Sequence, residues 1–139
     1  MITALLFAAS VAWAAPTQGG VELHAHLFIS EGLGWLFRGD FFEPPRARGW
    51  QDSLSSQADP VTLNRSGMAI VVASLYANPA TTLNMRAAIR AQIASARRFV
   101  AEHPGWVLAT DPHVAQQALA RGERLIVLAL EGADGILET

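Results

Sequence analysis

Two apolar runs, Met68 to Tyr76 and Leu125 to Leu130, constrain the fold more than any other feature. The first carries Ile70, Val71 and Val72 in sequence, the second Ile126 and Val127. A strand with one wet face alternates apolar and polar residues, whereas a strand covered on both faces does not. Both runs therefore predict buried strands of a parallel sheet, joined by crossover segments lying on its faces. Between the runs, Met85, Ile89, Ile93, Ala96 and Val100 recur at helical spacing and make one apolar stripe. That helix is expected to start at a cap on Thr81 or Thr82 and to stop at His103-Pro104-Gly105. Arg86, Arg90 and Arg97 lie off the stripe and read as a solvated face. Trp106 to Thr110 is a short apolar piece. Asp111-Pro112 caps a second helix that Gly122 closes, and Asp59-Pro60 resembles an earlier helix start. Strands alternating with helices imply an α/β fold with right-handed crossovers.

The segment Val21 to Leu27 holds two of the four histidines. Residues two apart on a strand point to the same face. His24 and His26 are then expected to project together with Glu22 behind them. Leu23, Ala25 and Leu27 would form the packing face. Two imidazoles side by side can grip one divalent cation. By itself, His-x-His equally suits two histidines that merely sit near a strand end. Glu131 adds a second observation, because it follows the apolar run that ends at Leu130. Parallel α/β folds gather their chemistry at the carboxyl ends of the strands. His24, His26 and Glu131 are thus expected to meet there as metal ligands. His103 follows a helix and belongs at the opposite end of the sheet. His113 sits in the first turn of a helix and reads as a surface residue.

Composition removes several classes of function. The absence of cysteine excludes disulfides, thiolate metal sites, thiol nucleophiles and a lipid-modified cysteine. The ten basic residues are all arginine, the net charge is −2 and no basic run occurs, so no nucleic-acid partner is expected. A phosphoesterase is disfavoured, since no lysine is available for phosphate and no Gly-rich loop precedes a helix. A chain of 139 residues predicts one domain. Residues 1–14 read as a signal peptide: Ile2 to Val11 is apolar, and Ala12-Trp13-Ala14 fits a cleavage site, although no Lys or Arg precedes the apolar core. That core is too short to span a membrane, so the expected product is an exported domain over residues 15–139. From Phe28 to about Gly67, glycines and prolines are interleaved with aromatic residues. This stretch is either a lid over the site or an ordered loop whose aromatics pack onto the body.

From Val21 onward the sequence resembles the membrane (renal) dipeptidase family of zinc peptidases, in the amidohydrolase superfamily. The resemblance rests on the histidine strand, on Leu63 to Tyr76, on the helix from Leu83 to His103-Pro104, and on Ala109-Thr110 with Ala118 to Gly122. It rests most on Leu125 to Gly135, where Leu130-Glu131-Gly132-Ala133-Asp134 looks like the family's Glu-Gly stretch. The resemblance implies a TIM barrel of the metal-dependent hydrolase type. It implies metal roles for His24 and His26, and a bridging, catalytic role for Glu131 between two Zn2+ ions. It also implies a peptide or amide substrate. The family pattern on the first strand is His-x-Asp, and here His26 takes the second place, as is commoner in the wider superfamily. A complete barrel takes about 250 residues. The chain is therefore expected to supply about the first three strands and their helices, without the later-strand ligands. It would then self-associate or work with a missing carboxy-terminal portion. The competing reading is an exported binding or assembly domain, derived from the barrel and without catalysis.

Overall fold

The computed structural model describes residues 19–28, 41–42, 58–79 and 82–132. The expected signal peptide, most of the aromatic loop and residues 133–139 lie outside the described residues. Among the described residues seven elements follow in order: β1 (Gly20–Ala25), α1 (Pro60–Arg65), β2 (Met68–Leu75), α2 (Met85–Glu102), β3 (Trp106–Ala109), α3 (Pro112–Ala120) and β4 (Arg124–Leu130). The strands form one sheet in the order β1-β2-β4-β3, and all three pairings are parallel.

The expected α/β class with a parallel sheet is the one observed, but the sheet has four strands where three were expected. The additional strand is β3, which its sequence marks only as a short apolar piece. Four residues are too few for a periodic signal. Tertiary pairing makes the strand, through Trp106 opposite Arg124 and Ala109 opposite Val127. It lies outside β4, so spatial order departs from chain order at that edge. β1, β2 and β4 are consecutive neighbours in the sheet.

The two runs form β2 and β4 in the centre, and alternate residues serve opposite faces. Val71, Ala73 and Ile126 join Leu63, Phe99 and Trp106 in the larger core, which α2 covers. Ile70 and Leu125 pack with Ala115 and Ala118 of α3 on the other face. Phe28 and Phe41 are fully buried in the larger core, with ring centroids 4.8 Å apart. Phe41 also meets Phe99, and the Arg98 guanidinium lies 4.0 Å over the Phe42 ring. These two residues of the aromatic loop pack onto the body. Each large apolar side chain removed from water contributes about 1.5–3 kcal/mol.

Local signals place the helix starts. Asp59 accepts the Thr62 N–H at 2.7 Å, with Pro60 in the first turn. Asp111 does the same for Val114 at 2.9 Å, ahead of Pro112. The expected cap of α2 at Thr81 or Thr82 is corrected to Asn84, whose side chain accepts the Ala87 N–H at 2.9 Å. The buried face of α2 is also turned from the expected stripe. Ala88, Ile89, Gln92, Ser95, Ala96 and Phe99 are buried, while Met85, Ile93 and Val100 are only partly so. Phe99 draws the helix round, because its ring fills the space between Phe41 and Trp106.

β1 departs from its expected alternation. Glu22 pairs with Val71 and Ala25 with Ala73, so three steps on β1 match two on β2. The extra residue is a β-bulge, and bulges re-aim side chains. Ala25 and Leu27 are buried as expected, but Leu23 is corrected from packing residue to surface residue, at 73 % exposure. The strand ends at Ala25, leaving His26 just beyond it. At the amino end of the sheet, Asn64 of α1 accepts the Trp106 indole N–H at 2.8 Å and an Arg124 N–H at 2.9 Å. Arg124 also lies 4.3 Å over the Trp106 ring, which ties α1, β3 and β4 together there.

Candidate metal centre

The expected ligands His24, His26 and Glu131 are brought together by the ends of β1 and β4. His24 Nε2 and His26 Nε2 lie 3.1 Å apart. Glu131 Oε2 is 3.3 Å from the first and 3.4 Å from the second. Among the described residues these three form a group able to hold a metal ion. The path that builds it is short. The bulge in β1 turns His24 and His26 towards the β4 end, and Glu22 stabilises the bulge by accepting the His24 backbone N–H at 3.0 Å. Glu22 is therefore a backbone anchor. Glu131 leaves β4 with its own N–H donated to the Leu75 carbonyl at 2.9 Å, which carries the sheet one residue beyond the strand.

The three separations provide a test of fit. Zinc bonds to imidazole nitrogen and carboxylate oxygen are about 2.0–2.1 Å, and the edge of a tetrahedron with such bonds is about 3.3–3.4 Å. Two separations equal that edge and the third is slightly shorter. Two neutral nitrogens and one carboxylate are also the donor set of an open catalytic zinc site, in which a further position is left for water or substrate. Access favours the same use. The His24 and Glu131 side chains are 55 % and 44 % exposed, and that of His26 is 23 % exposed. All three side chains are thus partly open to solvent.

Three nearby residues have no part in the sequence expectation. Ser74, buried on β2, places its Oγ 3.1 Å from His24 Nδ1. Tyr76 meets the His26 ring edge-on, with centroids 6.2 Å apart. Gln92, fully buried on α2, accepts the Tyr76 N–H at 3.2 Å and donates to the Tyr76 carbonyl at 2.7 Å. Two of them carry a signal in the sequence, though it does not give their partners. Ser74 is a hydroxyl inside an apolar run, and Gln92 is an amide three residues from Ile89 and four from Ala96. Buried polar side chains require partners.

The remaining histidines stay apart from the centre. His103 ends α2, stacked on Phe99, with Nδ1 2.9 Å from the Phe99 carbonyl. His113 is exposed in the first turn of α3. The Asp111 carboxyl below it is held beneath its ordinary pKa, mainly by the hydrogen bond from the Val114 N–H. No helix among the described residues is long and apolar enough to cross a membrane. Compared with family models, curated proteins and solved structures, the chain has no match.

Proposed function

We propose that this chain carries the amino-terminal part of the metal centre of an exported zinc-dependent hydrolase of the dipeptidase or amidohydrolase type. The observation that supports it most is the spacing of three donor atoms at 3.1, 3.3 and 3.4 Å. A bound zinc supplies a water acidified towards neutrality and a Lewis-acid hold on the scissile carbonyl. The residues have separate parts in that chemistry. His24 and His26 offer Nε2 lone pairs as neutral donors. Glu131 offers a carboxylate oxygen, which offsets cationic charge and leaves the second oxygen for a neighbouring cation or a proton. The partial exposure of all three leaves room for a peptide or amide to approach from solvent. In this proposal the sheet is the first portion of a TIM barrel, with β1, β2 and β4 as its consecutive strands.

The test is zinc titration by calorimetry near neutral pH on the wild type, His24→Ala and Glu131→Gln. Saturable binding by the wild type and marked weakening in both variants are expected. Equal uptake by all three proteins would remove the site's support. The alternative, an exported binding module without catalysis, shares the three-residue group, and zinc stoichiometry together with hydrolysis of simple dipeptides separates the two readings.

A further inference from the structure

The carboxyl end of β2 touches each of the three ligands from a successive residue. Ser74 Oγ faces His24 Nδ1 at 3.1 Å, the Leu75 carbonyl accepts the Glu131 N–H at 2.9 Å, and the Tyr76 ring borders His26. Behind this segment, Gln92 clamps both backbone polar groups of Tyr76. The segment is therefore fixed from both sides. A neutral imidazole has one nitrogen with a free lone pair, and the tautomer decides which. Donation from Nε2 requires the proton on Nδ1, whereas a free histidine side chain favours the opposite tautomer. The partner of the non-ligating nitrogen thus sets the ligand.

Resting on the zinc reading above, we infer that Ser74 is a positioning residue. Its Oγ accepts the Nδ1–H of His24, holds that tautomer and aims Nε2 at the cation. Ser74 is the single polar residue of β2 and is 3 % exposed. A buried hydroxyl without a hydrogen bond is costly, and His24 gives this one a partner. The three separations among the ligand atoms depend on the same contact, because rotation of the His24 ring would move Nε2 away from Glu131.

Two measurements on Ser74→Ala test the inference. The first is nitrogen NMR of the zinc-loaded protein. Wild-type His24 should carry its proton on Nδ1 and ligate through Nε2, and the variant should shift towards the tautomer that ligates through Nδ1. The second is cobalt titration followed by absorption, with the melting midpoint of the metal-free protein as control. Affinity should fall about 10–100-fold while the midpoint stays in place. Ser74→Thr, which keeps the hydroxyl, should recover the wild-type tautomer. Unchanged tautomer and cobalt affinity in Ser74→Ala would overturn the role of Ser74 and leave the zinc reading standing. A wild type that takes up no cobalt or zinc would overturn the zinc reading itself. Should Ser74→Ala fail to fold, ligation of zinc through Nδ1 of wild-type His24 would still overturn the inference.

Discussion

Asp111 accepts the Val114 N–H at the start of α3, and that bond favours its charged form. A carboxyl whose folded pKa lies below its unfolded value adds stability above the unfolded pKa. That contribution is lost as pH falls through the folded value. The loss from this cap should therefore appear below about pH 4. In Asp111→Asn the neutral amide keeps an acceptor but has no charge to titrate. The gap in melting midpoint between the two proteins should be constant near neutrality and shrink in acid. A gap independent of pH would show that the carboxylate charge contributes nothing. At this same scale, the convergence of His24, His26 and Glu131 could be read from the sequence, because residues that end neighbouring parallel strands gather at one end of the sheet. Ser74 and Gln92 escaped because their partners are 50 and 16 residues away, at distances only folding reveals. A corollary separates site from scaffold. Glu131→Gln, at an exposed position away from a core, should leave melting of the metal-free protein within about 0.5 kcal/mol. His24→Ala, in contrast, also removes the partner of the buried Ser74 hydroxyl and should cost about 1–3 kcal/mol.

Among the elements, β2 bears the most, since it pairs with β1 on one side and β4 on the other. Its two faces look into different cores, so substitutions on it are informative. Ile70→Ala opens the core under α3 and should cost about 2–5 kcal/mol by denaturant titration. Phe99→Ala removes a fully buried ring from contact with Phe41 and Trp106, and should cost about 3–5 kcal/mol. Costs below 1 kcal/mol at both positions would contradict the packing described. Both central strands were legible because an unbroken apolar run admits few alternatives. β3 was not, since its four residues owe their strand form to the neighbouring β4. The facing of α2 was misjudged for a related reason: the periodicity of five aliphatic residues outweighed one aromatic whose ring decides the packing. The bulge in β1 left no local trace, because it is a mismatch with a strand far along the chain.

Taken as a whole, the molecule covers one face of its sheet better than the other. On the less covered face α3 shields Ile70 and Leu125, while Val127 and Ala129 farther along it are half-buried; Leu130, on the opposite face at the strand end, is exposed. Val21 and Leu23 add exposed apolar surface on β1, a strand at the sheet edge. Edge strands with apolar side chains invite pairing with other chains. Leu23→Lys should thus lower the association measured by sedimentation, and an unchanged profile would place association elsewhere. Zinc should act on the same molecule by mass action, raising stability by about 2.7 kcal/mol at one hundred times its dissociation constant.

The sheet's wiring also governs when the metal centre can exist. β2 finds its partners far away in sequence on both sides, and the contact between Ser74 and His24 spans 50 residues. Closing such long loops slows folding. His24 lies near the end of β1, and His26 and Glu131 lie one residue beyond β1 and β4, so the group converges only after both strands have docked. A cation that binds this late arrangement gains nothing from a partly docked transition state. In a denaturant-jump experiment, zinc should slow the unfolding limb and leave the refolding limb unchanged.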